Sequence, residues 1–90
     1  MIKKIAVLVR DRQEEALRMA VGLILMDDTV DVYVLNRKLV PSDQNELNLE
    51  TMKDFDMGVY SNFSENEGMT YIADEELPGR LLGYDHILPY

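Results

Sequence analysis

The chain has 90 residues, of which 9 are Lys or Arg and 17 are Asp or Glu, so its formal charge is −8. A chain this acidic is not expected to bind nucleic acid by neutralising phosphates. It contains no cysteine, which excludes disulfides, thiolate metal sites and sulfur transfer on a protein thiol.

The length and hydropathy predict one small domain that covers residues 1–90. No apolar stretch approaches the ~20 residues that a membrane-spanning helix needs. The first four residues, Met1–Lys4, lack the apolar core and cleavage site of a secretory signal. We therefore expect a cytoplasmic protein that has neither nucleic acid nor a membrane as a partner.

The first third of the chain predicts a buried strand followed by a helix. Ile5–Val9 is an unbroken apolar run, typical of a central strand that is covered on both faces. Asp11 is followed three positions later by Glu14, a capping pattern that predicts a helix from about residue 12 to 26. Residues 19–26 are apolar apart from one glycine, so this half of the helix is expected either to be enclosed by sheet and loops or also to pack against a second copy of the chain.

The next segments repeat the alternation of strand and helix. Apolar and polar residues alternate over 30–35, which predicts a second strand parallel to the first and joined to it by a right-handed crossover. Asp43 and Glu46 repeat the capping pattern before a predicted helix over 44–55. A third strand is predicted over 57–61.

The last third predicts a short helix and a final strand. The helix covers residues 77–82, with Pro78 in its first turn, and the strand covers 84–88 and is ended by Pro89. The apolar segment 69–73 fits either a strand or a helix. Together these elements predict an α/β fold: a three-layer α/β/α sandwich with a mostly parallel sheet of four to five strands.

A parallel sheet of this kind binds ligands beyond the carboxyl ends of its strands. Four of the nine basic residues follow the first two strands: Arg10, Arg12, Arg37 and Lys38. Arginine holds carboxylates and oxyanions through paired hydrogen bonds, and helix N-termini add partial positive charge. The sequence therefore predicts a small-anion site formed by Arg10, Arg12, Arg37, Ser61 and Asn62. In the alternative interpretation, these arginines are solvated or pair with neighbouring acids.

The chain lacks the residues that several chemistries common in α/β proteins require. The first turn, Arg10–Gln13, contains no glycine-rich phosphate loop, so no nucleotide cofactor is expected. The acids at 74–76 fit a helix start better than a metal site. His86 is the only imidazole, lies in a predicted strand and has no identifiable nucleophile to activate. We predict no catalytic residue, no metal and no cofactor.

Several segments, in this order, resemble the DsrE/DsrF-like (TusD-like) family: the opening strand, Glu14–Leu23, Val30–Val34, Gly58–Ser61, Gly68–Met69, Ala73–Leu77 and Leu82–Asp85. Members are small α/β domains that form dimers, trimers or hetero-hexamers, and several pass sulfur as a cysteine persulfide. The family's cysteine corresponds to the neighbourhood of Ser61 and Asn62, where this chain has none. The resemblance thus implies the fold, oligomerisation and the place of a pocket, but not the sulfur relay.

These observations favour a non-catalytic, DsrE-like homo-oligomer that binds a small anion or a protein partner of the same family. Two alternatives stay open. One is a cysteine-less subunit of a sulfur-relay complex, whose acidic half docks a basic partner. The other is an enzyme that acts on a small anionic or sulfur-containing substrate through Arg10, Ser61, Asn62 or His86, without a protein thiol.

Overall fold

The computed structural model describes residues 3–24, 29–55, 57–66 and 68–90, and strands alternate with helices along them. The elements are β1 (Lys4–Val9), α1 (Gln13–Ile24), β2 (Thr29–Val34), α2 (Asp43–Asp54), β3 (Gly58–Ser61), β4 (Thr70–Tyr71), a 3-10 turn (Asp74–Glu76), α3 (Leu77–Leu81) and β5 (His86–Pro89).

The strands form one five-stranded sheet in the order β4-β3-β2-β1-β5. Every strand pair in the described residues is parallel, which confirms the predicted α/β class and the parallel crossover between β1 and β2. The strand β1, which is apolar from Ile5 to Val9, lies between β2 and β5, as this unbroken apolar run predicts. The segment that fitted either element contributes the two-residue edge strand β4.

One face of the sheet carries the larger hydrophobic core. Alternate residues of β1, β2 and β3 point to this face, and α1 and α2 cover it. Its fully buried members include Val7, Val32, Leu17, Ala20 and Met52. Since α1 and α2 also contact each other, they form one continuous layer over the sheet.

The opposite face is covered more thinly. Its core consists of Ala6, Tyr33, Leu35 and Ile72, with side chains of the 77–84 segment packed against them. The only helix over this face in the described residues is α3, which has five residues. The sheet is therefore covered on both faces, but by layers of very unequal size, and Ile87 of β5 stays 42% exposed.

Three details of the predicted elements are wrong. The cap of α2 is Ser42, whose hydroxyl accepts a hydrogen bond from Asn45 N at 3.1 Å, rather than Asp43. Pro89 is the last residue of β5 rather than the residue that follows it, which is possible because β5 is an edge strand. The helix α1 starts at Gln13, and the carbonyl of Arg12 accepts from Ala16 N, so Asp11 stands outside the helix.

The apolar half of α1 is only partly enclosed by its own chain. Ala20 is fully buried against the sheet, and Val21 and Leu23 are partly buried. Met19, in contrast, is 42% exposed, and Gly22 also lies at the surface. The predicted continuation of this helix over residues 25 and 26 falls outside the described residues. The outer side of α1 is thus a partly apolar surface.

Candidate functional site

The carboxyl ends of the three central strands meet at one edge of the sheet. Val9 pairs with Val34, and Val34 pairs with Ser61, so β1, β2 and β3 end almost level. The loops that follow them carry the predicted site residues and lie side by side. We call this edge, formed by residues 10–12, 36–38 and 61–63, the rim.

The three arginines of the rim differ in how their charge is compensated. Arg37 pairs with Asp11 at 2.9 Å, which joins the first two loops. Arg12 lies 3.6 Å from a carboxylate oxygen of Glu15 and 5.3 Å from the centre of the Tyr90 ring. Arg10 is exposed and has no carboxylate partner among the described residues. Ion pairs with neighbouring acids thus account for two of the three guanidinium groups, as the alternative interpretation expected.

Within the rim, Ser61 is buried rather than exposed. Its side chain is 1% exposed, and its hydroxyl accepts hydrogen bonds from Asn66 Nδ2 at 2.8 Å and from Phe63 N at 3.0 Å. The same hydroxyl is 3.3 Å from the carbonyl of Phe63, to which it donates. These bonds shape the loop after β3, and they leave the Ser61 hydroxyl no free face toward a ligand.

Asn62 connects its own loop to the loop after β2 and to the 3-10 turn at Asp74. Its Oδ1 accepts from Asn36 N at 2.7 Å, and its Nδ2 donates to Asn36 Oδ1 at 3.0 Å and to Asp74 Oδ1 at 2.7 Å. Asn36 has a φ of 65°, a left-handed conformation that asparagine tolerates better than most residues. The hydrogen bonds between Asn36 and Asn62 therefore fix the position of the loop after β2 relative to the loop after β3.

Three buried amide side chains fix the segment between Arg37 and Pro41. Gln13 donates from Nε2 to the carbonyl of Lys38 and accepts at Oε1 from Val40 N, at 3.3 and 2.8 Å. Asn66 accepts from Leu39 N and donates to the Arg37 carbonyl, at 2.8 and 3.0 Å. Asn45 donates to the Val40 carbonyl at 2.8 Å. This loop, which has no regular secondary structure, is thus held by side-chain bonds from three different segments.

Sequence reasoning missed these amides, although a signal existed. Gln13 precedes the buried Ala16, Leu17 and Ala20 at helical spacing, and Asn45 and Asn48 precede the buried Met52 in the same way. A polar residue on the inward stripe of a helix is expected to bond something buried.

A second polar cluster lies on the thinly covered face and was also missed. Tyr33 is 1% exposed and stacks on Tyr60 with ring centres 4.9 Å apart. Tyr84 donates its hydroxyl proton to Asp31 Oδ2, and Asp31 Oδ1 accepts from Gly58 N at 3.2 Å. We call Asp31, Tyr33, Tyr60 and Tyr84 the tyrosine cluster.

Arg80 of α3 covers the tyrosine cluster. Its Nε lies 3.4 Å from the Tyr33 hydroxyl, and its guanidinium carbon lies 4.6 Å from the centre of the Tyr60 ring. The hydrogen bond to Tyr33 raises the pKa of Arg80, and desolvation by burial, with the bonds to Asp31 and Tyr33, raises the pKa of Tyr84. The Tyr84 hydroxyl therefore keeps its proton, and the contacts of Arg80 with Tyr33 and Tyr60 anchor α3 to the sheet.

His86, the remaining candidate for general base chemistry, lies far from the rim. It pairs with Ile5 near the amino end of β1, four residues before Val9. At ~3.3 Å per residue, this places the His86 backbone roughly 13 Å along the sheet from the rim. The structure therefore does not bring His86 together with Arg10 and Asn62.

In the described ranges, no three acidic or histidine side chains are grouped as a metal site would require. None of the described helices is both long and apolar enough to cross a bilayer. No family model, curated protein or solved structure matches the chain, so the DsrE-like resemblance stays a prediction.

Proposed function

We propose that the chain is a cytoplasmic, non-catalytic, DsrE-like binding module that holds a small anion at the rim. The observation that supports this proposal is the meeting of three guanidinium-bearing positions at the carboxyl edge of a parallel sheet in a chain of charge −8. Ligands of such sheets bind at this edge. Arg10 would be the principal contact, because its charge has no carboxylate partner in the part of the chain that the structure describes.

The surroundings of Arg10 define the class of anion. Arg12 and the first backbone N–H groups of α1 add positive potential, whereas Asp11 and Glu15 reduce it. A large polyanion would meet these acids, whereas a small oxyanion or carboxylate needs only the exposed guanidinium group of Arg10. Sulfite, thiosulfate, phosphate and simple carboxylates are therefore the compounds to test.

A thermal-shift screen of these four classes tests the proposal. A ligand at about 100 times its dissociation constant stabilises the folded chain by roughly 2.7 kcal/mol. We expect at least one anion to raise the melting temperature of the wild type and not that of Arg10→Gln. Arg18→Gln is the matched control, because Arg18 is exposed on α1 and paired with Glu14 away from the rim. Equal responses of both variants would refute the assignment of Arg10.

We further propose that the module is a homo-oligomer that uses the outer side of α1. A shallow groove of about 370 Å³ lies there between Met19, Gly22 and Tyr90. Met19 is 42% exposed, and a second copy of α1 would remove this apolar surface from water. Light scattering at micromolar concentration is expected to give a multiple of 10.4 kDa.

Charge substitutions identify the face that this oligomer uses. Met19→Lys is expected to give the monomer, whereas Leu47→Lys, at a 57% exposed position of α2, should leave the oligomer intact. A strict monomer in the wild type would overturn the oligomer and leave the anion site untouched.

The acidic second half of the chain favours a second candidate, a cysteine-less subunit of a mixed assembly. From Asp43 onward the sequence has eleven acids and two bases, a surface suited to a basic partner protein. Purification from the native host distinguishes the two candidates. Recovery of the chain without a cysteine-bearing relative would favour self-assembly.

A further inference from the structure

The free edge of β5 presents alternate backbone groups to the outside of the sheet. Tyr90 N donates to the Leu8 carbonyl at 2.9 Å, so the backbone of Tyr90 faces β1. Along a strand, the N–H and C=O groups of successive residues point to opposite edges. The backbone groups of His86 and Leu88 therefore also face β1, and those of Ile87 face away from it. No strand in the described part of the chain pairs with this outer side of β5.

Ile87 is the residue of β5 that has both its N–H and its C=O group free on the outer side. Pro89, the next residue that faces outward, has no N–H. At the other end of the strand, Asp85 N donates to the Lys4 carbonyl at 2.7 Å. An antiparallel neighbour can therefore exchange two hydrogen bonds with this edge at Ile87. A shift of the pairing by two residues would lose one of these bonds, because Pro89 cannot donate.

The surfaces beside this edge are apolar on both faces of the sheet. On the thinly covered face, the side chain of Ile87 is 42% exposed. On the other face lies the groove between Met19, Gly22 and Tyr90, and Met19 is also 42% exposed. An edge with apolar surface on both faces is suited to burial against another sheet.

Met19 of α1 lies at the same level along the sheet as Ile87. The guanidinium carbon of Arg12 is 5.3 Å from the centre of the Tyr90 ring, so these two residues are level with each other. From Arg12, α1 runs back toward the amino ends of the strands, and Met19 lies about 10 Å along it at ~1.5 Å per residue. From Tyr90 back to Ile87 is also about 10 Å, at ~3.3 Å per residue of strand. An axis through the edge at Ile87 therefore passes beside Met19 as well.

The distribution of charge favours contact between two copies at this edge over the opposite edge. Residues 1–42, which supply β1 and α1, carry seven bases and six acids, whereas residues 43–90 carry two bases and eleven acids. The other free edge is β4, which the acidic 3-10 turn Asp74–Glu76 follows closely. Two copies that met at β4 would bring like charges together, and the side of α1 and β5 largely avoids this repulsion.

We propose that two copies of the chain pair their β5 strands antiparallel around a two-fold axis at Ile87, which joins their sheets into one sheet of ten strands. This inference rests on the proposed homo-oligomer and specifies its geometry. Each Ile87 N donates to the Ile87 carbonyl of the other copy. The two Ile87 side chains lie side by side on the thinly covered face, and the two Met19 side chains face each other across the axis on the other face.

Hydrogen exchange of single amides in the full chain tests this geometry. The Ile87 N–H is hydrogen-bonded across the axis in the wild type and faces water in the monomeric variant Met19→Lys. We expect it to exchange at least tenfold more slowly in the wild type. Tyr71 is the matched control: Ile72 N donates to the Ser61 carbonyl, so the Tyr71 N–H points away from the sheet at the opposite edge. The exchange of Tyr71 should be the same in both proteins.

The outcomes separate this inference from the homo-oligomer on which it rests. If light scattering shows an oligomer but the Ile87 amide exchanges as fast as in Met19→Lys, the β5 pairing is overturned and the contact through α1 stands. A strict monomer in the wild type would overturn both.

A single cysteine at the axis gives a second test, in a chain that has no cysteine of its own. Hydrogen-bonded partners of an antiparallel pair have Cα atoms ~5.5 Å apart, which a disulfide can span. Mild oxidation of Ile87→Cys is expected to give a covalent dimer at least tenfold faster than oxidation of Leu82→Cys, although Leu82 is 87% exposed and Ile87 is 42% exposed. Equal rates, or a faster reaction of Leu82→Cys, would refute the pairing.

Discussion

The hydroxyl oxygens of Tyr33 and Tyr84 lie 2.8 Å apart, and the Tyr84 hydroxyl also reaches Asp31 Oδ2. An ionised carboxylate only accepts hydrogen bonds, so Tyr84 donates its proton to Asp31 and accepts one from Tyr33. Arg80 Nε in turn donates to Tyr33. The hydrogen bonds therefore run in one direction, from α3 through two tyrosines to a carboxylate in β2.

Removal of the Tyr84 hydroxyl is expected to destabilise the fold. Tyr84→Phe leaves Asp31 Oδ2 without its donor and Tyr33 without its acceptor, which costs about 1–3 kcal/mol in the free energy of unfolding. Tyr71→Phe removes a hydroxyl at a 58% exposed position and should change it by less than about 0.5 kcal/mol. Urea denaturation measures both. Equal losses in the two variants would contradict the structural role of Tyr84.

The same hydroxyl predicts a pH dependence. Desolvation, followed by the bonds to Asp31 and Tyr33, raises the pKa of Tyr84 above its ordinary value of 10.0. Above that pH the unfolded chain releases the Tyr84 proton while the folded chain retains it, so the stability present below pH 10 is lost as the pH rises. We expect the free energy of unfolding to fall more steeply above pH 10 in the wild type than in Tyr84→Phe. Parallel curves from pH 8 to 11.5 would show that Tyr84 ionises equally in both states.

The tyrosine cluster leaves no space for a side chain at Gly58. A Cβ at this position would lie 2.5 Å from Asp31 Oδ1 and 2.7 Å from the Tyr60 ring. Both groups are held in place, the carboxylate by Gly58 N and the ring by stacking on Tyr33. Gly58→Ala should therefore destabilise the chain by about 1–3 kcal/mol.

Gly22→Ala is the matched control for Gly58→Ala. A Cβ at Gly22 meets no atom within 4 Å, and the residue lies in the interior of α1. This substitution should stabilise the chain by roughly 0.5–1 kcal/mol, because alanine favours the helix. Thermal melts of the two variants should shift in opposite directions. A shift of the same sign in both would contradict the close approach at Gly58.

The strands that sequence reasoning located best are those with the most uniform patterns. The apolar run of β1 and the alternation in β2 each allow one interpretation, and both strands lie where they are predicted. The tyrosine cluster was missed because its members come from β2, β3 and the segment after α3, 53 positions apart at the extreme. Asp31 is a charged residue in the otherwise largely buried strand β2. It was the one local sign in the sequence that a hydrogen-bond donor must lie close to this carboxylate.

The sequence predicted only part of the candidate site, because contacts within the site also join residues that lie far apart in the chain. The topology alone places Arg10, Arg37 and Asn62 at one edge, since parallel strands end on the same side. Neither the pairing of Arg37 with Asp11 nor the burial of Ser61 follows from the topology. Both depend on how loops of different lengths pack against each other. Helix capping rules do not predict contacts between loops.

Asn66 is expected to matter more to stability than its position in a loop suggests. Asn66→Ala leaves Leu39 N and the Arg37 carbonyl without the side-chain partner and removes one of the three hydrogen bonds of the Ser61 hydroxyl, which costs roughly 2–4 kcal/mol. Asn62→Ala also removes three hydrogen bonds, but these lie at the surface, where water replaces them, so about 1 kcal/mol or less is expected. Guanidinium denaturation compares the two variants. A larger loss in Asn62→Ala would reverse this assignment.

The ion pair between Asp11 and Arg37 predicts how the affinity for anions can be increased. Both side chains are more than half exposed, so the pair adds only about 0.2–1 kcal/mol to stability, and Asp11→Asn should fold like the wild type. The substitution frees the Arg37 guanidinium and removes one negative charge from the rim. We therefore expect Asp11→Asn to bind the anion found in the thermal-shift screen about three- to tenfold more tightly, while Arg10→Gln weakens it. Glu14→Gln removes an acid that pairs with Arg18 instead of a rim arginine, so it measures the effect of net charge alone. If Glu14→Gln strengthens binding as much as Asp11→Asn does, general electrostatics explains the gain and the anion does not contact Arg37.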